Sequence, residues 1–504
     1  MECVGAIDQG TSSTRFFVFR AMSTEVIASH TLPVISIYPK QGWVEQDPNH
    51  ILDTVIKCLE EGAKELINKG YSIKSLVSIG ITNQRETTVV WDRITGEPLY
   101  NALVWLDTRT KQLVDEYTTK YKTHEYLKDK CGLPISTYFS ALKLRWLIDN
   151  VPEVKKALDE NRLMFGTVDS WIVYKIAVGS IHITDVTNAS RTMFMNIHTL
   201  DYDQELLDFF EIPSQDILPT IKSSSEIYGK ISTPDILSGV PISGILGDQQ
   251  AALIGQECLH PGMVKSTYGT GAFLLMNVGD KPIFSKNGLL TTVAFQLGIS
   301  GKPIYALEGS IAVAGSLVSW LRDNMKLIDT YEEMENALRS VTDTGGVYMV
   351  PAFCGLFAPY WRNDARGTIV GLSQFTKKEH ILRACLESIC FQTREIIEAM
   401  KDDSTLGLDN LLVDGGMSSN KGFVQILSDL IGNKVSRKDF SETTALGAAM
   451  AAGHSMGVWN IHSYSNTDAT ETMYPSINQT ERDESFRQWK RAIDRSLGWI
   501  EEDN

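Results

Sequence analysis

Over the first eighty residues, apolar positions fall first in short runs and then at helical spacing. Residues 3–10 (CVGAIDQG) and 14–19 (TRFFVF) read as two strands around a glycine-containing turn, with residues 25–34 (EVIASHTLPV) a third strand beside them. Ile51, Leu52, Val55, Ile56, Leu59, Ala63, Leu66 and Ile67 then recur three and four positions apart. They follow an Asp47 cap and a Pro48 at the first helical position, and Gly70 closes the pattern, so the spacing predicts a helix. Residues 75–82 (SLVSIGIT) supply the next strand. The order is β-β-β-α-β, and it ends in a polar cluster, Thr82, Asn83, Gln84, Arg85 and Glu86. Polar side chains at the carboxyl end of a strand suit a small-molecule site in an α/β sheet; the plainer alternative is a solvated turn.

The second half repeats the pattern. Residues 262–279 (GMVKSTYGTGAFLLMNVG) read as strand, glycine turn and strand, with Gly269-Thr270 standing where Gly10-Thr11 stands in the first half. Residues 288–296 and 304–310 read as further strands and 311–325 as a helix. Residues 411–432 (LLVDGGMSSNKGFVQILSDLIG) give a strand, a Gly-Gly turn and another helix. Two hairpin-led α/β halves follow, expected as domains over 1–252 and 262–460, with a helical extension over 461–504. A ligand is expected in the cleft between the halves.

With 504 residues, the chain exceeds the roughly 250–300 at which one core stops growing, which agrees with two domains. Hydrophobic residues at 43% and charged residues at 22% are ordinary globular values, and no apolar run approaches the ~20 residues of a membrane span. A net charge of −15 without a basic block argues against a nucleic-acid partner or an anionic membrane. Seven cysteines without a CxxC pair, and an amino terminus that opens directly into a strand pattern, point to a reduced, cytoplasmic protein.

Chemistry concentrates at turns. Residues 8–15 (DQGTSSTR) place a carboxylate, a glycine and four hydroxyl residues where backbone N–H groups could meet a phosphate, with Asp8 available to a hydrated Mg²⁺. An ordinary Gly hairpin would explain that turn alone. The TYGTG turn and the VDGGMSSN turn at 413–420 make three of a kind, and close backbone approach to a phosphate requires glycine. In GILGDQQAALIG, residues 244–255, Asp248 stands between an apolar strand and an apolar helix, where it could cap the helix or act as a general base facing Arg85 and Glu86. Of the aromatics nearby, Phe139 reads as core, and Trp105 and Tyr138 as pocket wall.

Together, AIDQGTSSTR, GITNQRETTVVW, FGTVDSWIVYK, DVTNASRTM, ISGILGDQQAAL, STYGTGAFLLMN, YALEGSI and DGGMSSN resemble the FGGY carbohydrate kinase family, from about residue 4 to about residue 460. ITNQRE and GDQQAA resemble the members that act on glycerol. The resemblance implies an α/β fold of two ribonuclease-H-like, actin/Hsp70-like ATPase domains with a central cleft. It implies phosphorylation of glycerol by ATP to sn-glycerol 3-phosphate and ADP, with Mg²⁺, in a homodimer or homotetramer. It assigns glycerol to Arg85, Glu86, Tyr138, Asp248 and Gln249, with Asp248 as base and Trp105 and Phe273 as the apolar wall. It assigns the nucleotide to Thr11, Ser12, Ser13, Arg15, Thr270, Gly315, Gly416 and Asn420, and Mg²⁺ to Asp8 through water. Rival readings are a family member acting on a pentulose or hexose derivative, and a nucleotide-driven switch of the actin or Hsp70 kind without a second substrate. Two departures stand out. Residues 228–241 lack the Gly/Arg-rich loop that binds fructose 1,6-bisphosphate in some bacterial members and contain no histidine, and Ser319 replaces a glutamine found near the base in bacterial members.

Overall fold

The computed structural model describes residues 2–362, 364–464 and 470–500. Its architecture is two mixed sheets with the same internal plan. The first has the order Gly229–Lys230, Pro241–Gly247, Leu76–Asn83, Cys3–Gln9, Ser13–Arg20, Val26–Pro33. The second runs Leu290–Gln296, Pro303–Ile311, Ala272–Gly279, Val264–Tyr268, Asn410–Asp414, Lys434–Lys438, Thr470–Met473. In each, a hairpin-paired strand lies at the centre and runs parallel to strands that arrive after a long helix, Pro48–Asn68 in the first half and Lys378–Ser404 in the second.

Parallel pairing explains where the polar residues collect. Asp8 lies opposite Thr82 across the Cys3–Gln9 and Leu76–Asn83 pair, and Leu246 lies opposite Thr82 on its other side. Three strands therefore end at one edge, where Asp8 stands near the end of its strand, the loop bearing Arg85 and Glu86 leaves, and Asp248 starts a helix. The helix Pro48–Asn68 starts as its spacing predicts, since Asp47 accepts a hydrogen bond from the Asn49 N–H at 2.9 Å. Ile51, Leu52, Val55, Leu59, Ala63 and Leu66 are buried, whereas Ile67 is exposed on the last turn.

The halves meet through two helices, Asp248–Gly255 and Thr443–Ser455, each following a parallel strand of its own sheet. They cross at glycines. A Cβ on Gly447 would stand 1.8 Å from the carbonyl oxygen of Ala251, and one on Gly255 would stand 1.9 Å from that of Thr443, so neither position admits a side chain. Around this crossing a core forms from both sheets, with Val4, Ala6 and Leu246 from one side, Leu275 and Ala306 from the other, and the buried alanines of Thr443–Ser455 between them. The segment expected as a helical extension carries a strand as well. Thr470–Met473 pairs antiparallel with Lys434–Lys438 and adds an edge to the second sheet before the helix Gln479–Ser496, which seats Trp489 against Glu395 with a 3.0 Å indole hydrogen bond. Among the described residues no helix is long and apolar enough to cross a membrane.

Candidate active site

The loop after Leu76–Asn83 enters a buried charge network. Arg85 donates to both oxygens of Glu308, at 2.7 and 2.8 Å, and its Nε lies 3.1 Å from Asp248 Oδ1. Arg191 carries the network on, with Nε 2.5 Å from Glu86 and one terminal nitrogen 3.3 Å from Glu308. These buried charges hold their places because each finds an opposite partner. Burial pushes the Glu308 carboxyl up, but the guanidiniums of Arg191 and Arg85 outweigh it and hold it down at about 2. For Glu86, burial wins over the same two arginines and the carboxyl is pushed up.

Glu86 has φ of +57°, a left-handed conformation uncommon for a residue with a side chain. Its neighbours fix it there. Thr87 N–H donates to the Arg85 carbonyl at 2.7 Å, and the Glu86 carbonyl accepts from Ser140 Oγ at 3.0 Å. The tight turn lets consecutive Arg85 and Glu86 both face one cavity.

That cavity holds about 140 Å³ and is lined by Thr11, Arg85, Glu86, Trp105, Tyr138, Asp248, Gln249, Thr267, Gly269, Thr270, Gly271 and Phe273. Every residue expected at the small-substrate site is among them. Trp105 packs edge-on against Tyr138 and Phe273, with ring centres 5.6 and 5.7 Å apart, and its indole N–H donates to Thr11 Oγ1 at 2.9 Å. Phe139 lies behind, fully buried.

Asp248 is the first residue of its helix rather than the cap. Gly247 occupies the cap position, and the Asp248 carboxylate accepts from the next N–H, that of Gln249, at 2.7 Å. The side chain keeps 28% of its surface, so it faces the cavity. Burial pushes its carboxyl up against the pull of Arg85 and Lys265. Lys265, fully buried on Val264–Tyr268, donates to Gln249 Oε1 and, at 3.0 Å, to Thr267 Oγ1. Burial pushes the Lys265 ammonium down to about 8 although Asp414 and Asp248 favour its charge.

The residues expected to meet the nucleotide divide. Thr11 and Thr270 line the cavity, whereas Ser12, Ser13, Arg15, Gly315, Gly416 and Asn420 lie outside it. The last three belong to a joined set of turns. Gly315 N–H donates to the Gly269 carbonyl at 2.9 Å, and a Cβ on Gly415, whose φ is +85°, would come 2.4 Å from the Tyr268 carbonyl oxygen. Gly416 faces open space, and Asn420 caps Lys421–Ile431 by accepting from Phe423 N–H at 3.0 Å. Arg15 reaches across the cleft to Glu442 at 2.9 Å and stands 3.6 Å from Asp8. Asp8 has little else, and burial pushes its carboxyl up to about 7, with Arg15 opposing and Asp248 and Glu442 adding to it. A buried carboxylate so thinly compensated suits a hydrated divalent cation, although no group of three or more His, Cys, Asp or Glu side chains able to hold a metal occurs among the described residues.

Sequence reasoning gave no role to Arg191, Glu308 or Lys265. A carboxylate within the otherwise apolar strand IYALEGSI was the available signal, because such a charge needs a buried partner.

Two like-built α/β domains that close on a polar cavity, with glycine turns at its rim, define a nucleotide-dependent phosphotransferase of the actin/Hsp70-like ATPase fold. The N-terminal domain model of the FGGY family of carbohydrate kinases matches residues 3–255 and its C-terminal domain model matches 264–456. The chain belongs to the FGGY family of carbohydrate kinases. It is 50% identical to a glycerol kinase of Brucella anthropi, covering 99% of both chains, and 48% identical to a probable glycerol kinase of Dictyostelium discoideum over 99% of both. The crystal structure of Plasmodium falciparum glycerol kinase with ADP superposes with a TM-score of 0.91 at 41% identity, covering 100% of this chain and 99% of that one.

Proposed function

We propose that the chain phosphorylates glycerol with ATP, giving sn-glycerol 3-phosphate and ADP. The observation that carries this reading is the composition of the 140 Å³ cavity, in which Arg85, Glu86, Asp248, Gln249 and Tyr138 surround a space well below the ~300 Å³ at which drug-sized ligand sites begin. Donors and acceptors at that density suit a three-carbon polyol. A pentulose or hexose would need room that Trp105, Tyr138 and Phe273 take up. The charged wall also opposes the second rival, a switch without a second substrate, since buried charges facing an empty cavity would cost stability for no recognition.

The chemistry follows from the side chains. Arg85 offers its fork and Glu86 its carboxylate to substrate hydroxyls, and Trp105 and Phe273 cover the carbon chain. Asp248, oriented by Arg85 at 3.1 Å, accepts the proton of the attacking hydroxyl. The turns bearing Thr11 and Thr270 present N–H groups and hydroxyls to the phosphates, with Ser12, Ser13 and Arg15 at the first turn and Gly315, Gly416 and Asn420 shaping the rest of the nucleotide site. Asp8 would hold Mg²⁺, which when bound neutralises charge on the phosphates. Closure of the halves excludes water, the competing acceptor.

A cytoplasmic location and assembly as a homodimer or homotetramer complete the reading, on the strength of the family resemblance. Native mass at working concentration tests the assembly. The function itself is tested by following ADP release with and without glycerol: release that requires glycerol and yields glycerol 3-phosphate is expected, and ATP hydrolysis indifferent to glycerol would overturn it.

A further inference from the structure

Lys265 lies behind the cavity and does not line it, yet it touches two residues that do. Its ammonium donates to Gln249 Oε1 and to Thr267 Oγ1, the second at 3.0 Å. An ammonium has three donors and no acceptor, so both contacts have a forced sense. Gln249 must turn its oxygen to Lys265, which leaves its amide NH₂ for the cavity. Thr267 must offer a lone pair to Lys265, which leaves its O–H free to donate.

Two other lining residues have the opposite character. Asp248 and Glu86 present carboxylate oxygens, which can only accept. Lys265 also joins the halves, because it stands on Val264–Tyr268 of the second sheet whereas Gln249 rides on the helix that follows Pro241–Gly247 of the first. Burying a lysine completely is unfavourable, and Thr267 and Gln249 alone would pack at lower cost against an apolar side chain. Asp414 and Asp248 favour that charge, and the ammonium they hold fixes the polarity of its two neighbours.

We propose that Lys265 is a positioning residue that fixes Gln249 and Thr267 as hydrogen-bond donors to the cavity. Gln249 and Thr267 then donate to the lone pairs of substrate hydroxyls while Asp248 receives the proton of the attacking one. A hydroxyl is both donor and acceptor, and a cavity that offers it fixed donors beside fixed acceptors holds it in a single orientation. Without the ammonium the Gln249 amide is free to flip and Thr267 to rotate, and the substrate loses its fixed pose. This inference rests on the glycerol reading.

The test is steady-state kinetics with glycerol and ATP varied separately, on the full chain and on Lys265→Met, Gln249→Met and the double variant, with melting temperatures recorded alongside. Glycerol-dependent turnover by the unaltered protein is measured first; its absence would sink the glycerol reading, independently of Lys265. Lys265→Met is expected to raise KM for glycerol about tenfold or more and leave KM for ATP within about twofold. Gln249→Met is expected to raise it as well, and the double variant to be no more than about threefold worse than Lys265→Met, because that substitution already frees the Gln249 donor. An unchanged KM for glycerol in Lys265→Met, or multiplying effects in the double variant, would overturn the proposal. Should Lys265→Met fail to fold, Lys265→Arg decides: it keeps donors on both neighbours and is expected to hold KM for glycerol within about threefold, and a tenfold rise there would overturn the proposal as well.

Discussion

Arg85 and Glu308 face each other through two parallel hydrogen bonds of 2.7 and 2.8 Å, and they come from opposite halves of the chain. A guanidinium that lines the cavity is thus held by a carboxylate of the other sheet. Breaking a buried pair by removing one partner costs about 3–5 kcal/mol, mostly from the charge left behind. Glu308→Ala should therefore lower the melting temperature and the yield of folded protein. Glu308→Gln keeps the shape and one acceptor, and should raise KM for glycerol about tenfold with little change for ATP. Arg85→Lys, which keeps charge and loses the fork, should show the same asymmetry. Equal changes in both KM values would mean the pair serves closure of the halves.

Asp248 makes a separate prediction. Asparagine keeps its size but takes no proton, so Asp248→Asn should lower kcat by ~10² or more while glycerol still binds. Calorimetric titration with glycerol and single-turnover rates separate the two effects, and near-normal turnover would remove Asp248 from the chemistry.

Asp8 predicts a trade of stability against activity. Its carboxyl, pushed up to about 7 from an unfolded value near 3.8, binds a proton more tightly in the folded chain, so its contribution to stability falls as pH rises between those values. Asp8→Asn removes that loss. The variant should be more stable than the parent at pH 7, by about 1 kcal/mol or more, and match it near pH 4, while its turnover with Mg²⁺ and ATP collapses. A parent that melts higher at pH 7 would show that the carboxylate is already compensated.

Base selectivity should be weak. Ser319 stands one turn after Gly315 and bonds back to the Gly315 carbonyl at 3.4 Å, so its hydroxyl is too short and already engaged to read adenine. GTP should support phosphorylation within about tenfold of ATP in kcat/KM, a gap of ~1.4 kcal/mol. A thousandfold preference for ATP would place adenine recognition on another residue.

Most of the sheet plan was legible because its signals are local. Asp47, Pro48 and the spacing from Ile51 to Leu66 specify a helix without help from the rest of the chain, and the turns at Gly10 and Gly269 mark their own hairpins. Arg85, Glu86 and Asp248 could be read as a site because each stands just beyond an apolar strand. Arg191 and Glu308 could not be placed in the same way. Positions 85, 191 and 308 meet only when both sheets close, and nothing near Arg191 in sequence says that its partner is Glu86. The strand Thr470–Met473 was missed for a related reason, since four residues without an apolar alternation become a strand only beside Lys434–Lys438.

The crossing of Asp248–Gly255 on Thr443–Ser455 has the reciprocity of a two-fold axis. Ala251 meets Gly447 and Gly255 meets Thr443, so the start of each contact stretch lies against the end of the other. Contacts that exchange in this way are those of two copies of one surface, as in a symmetric dimer. The joint is symmetric while the two sides of the cleft differ, one carrying Arg85, Glu86 and Asp248 and the other the Gly269 and Gly415 turns.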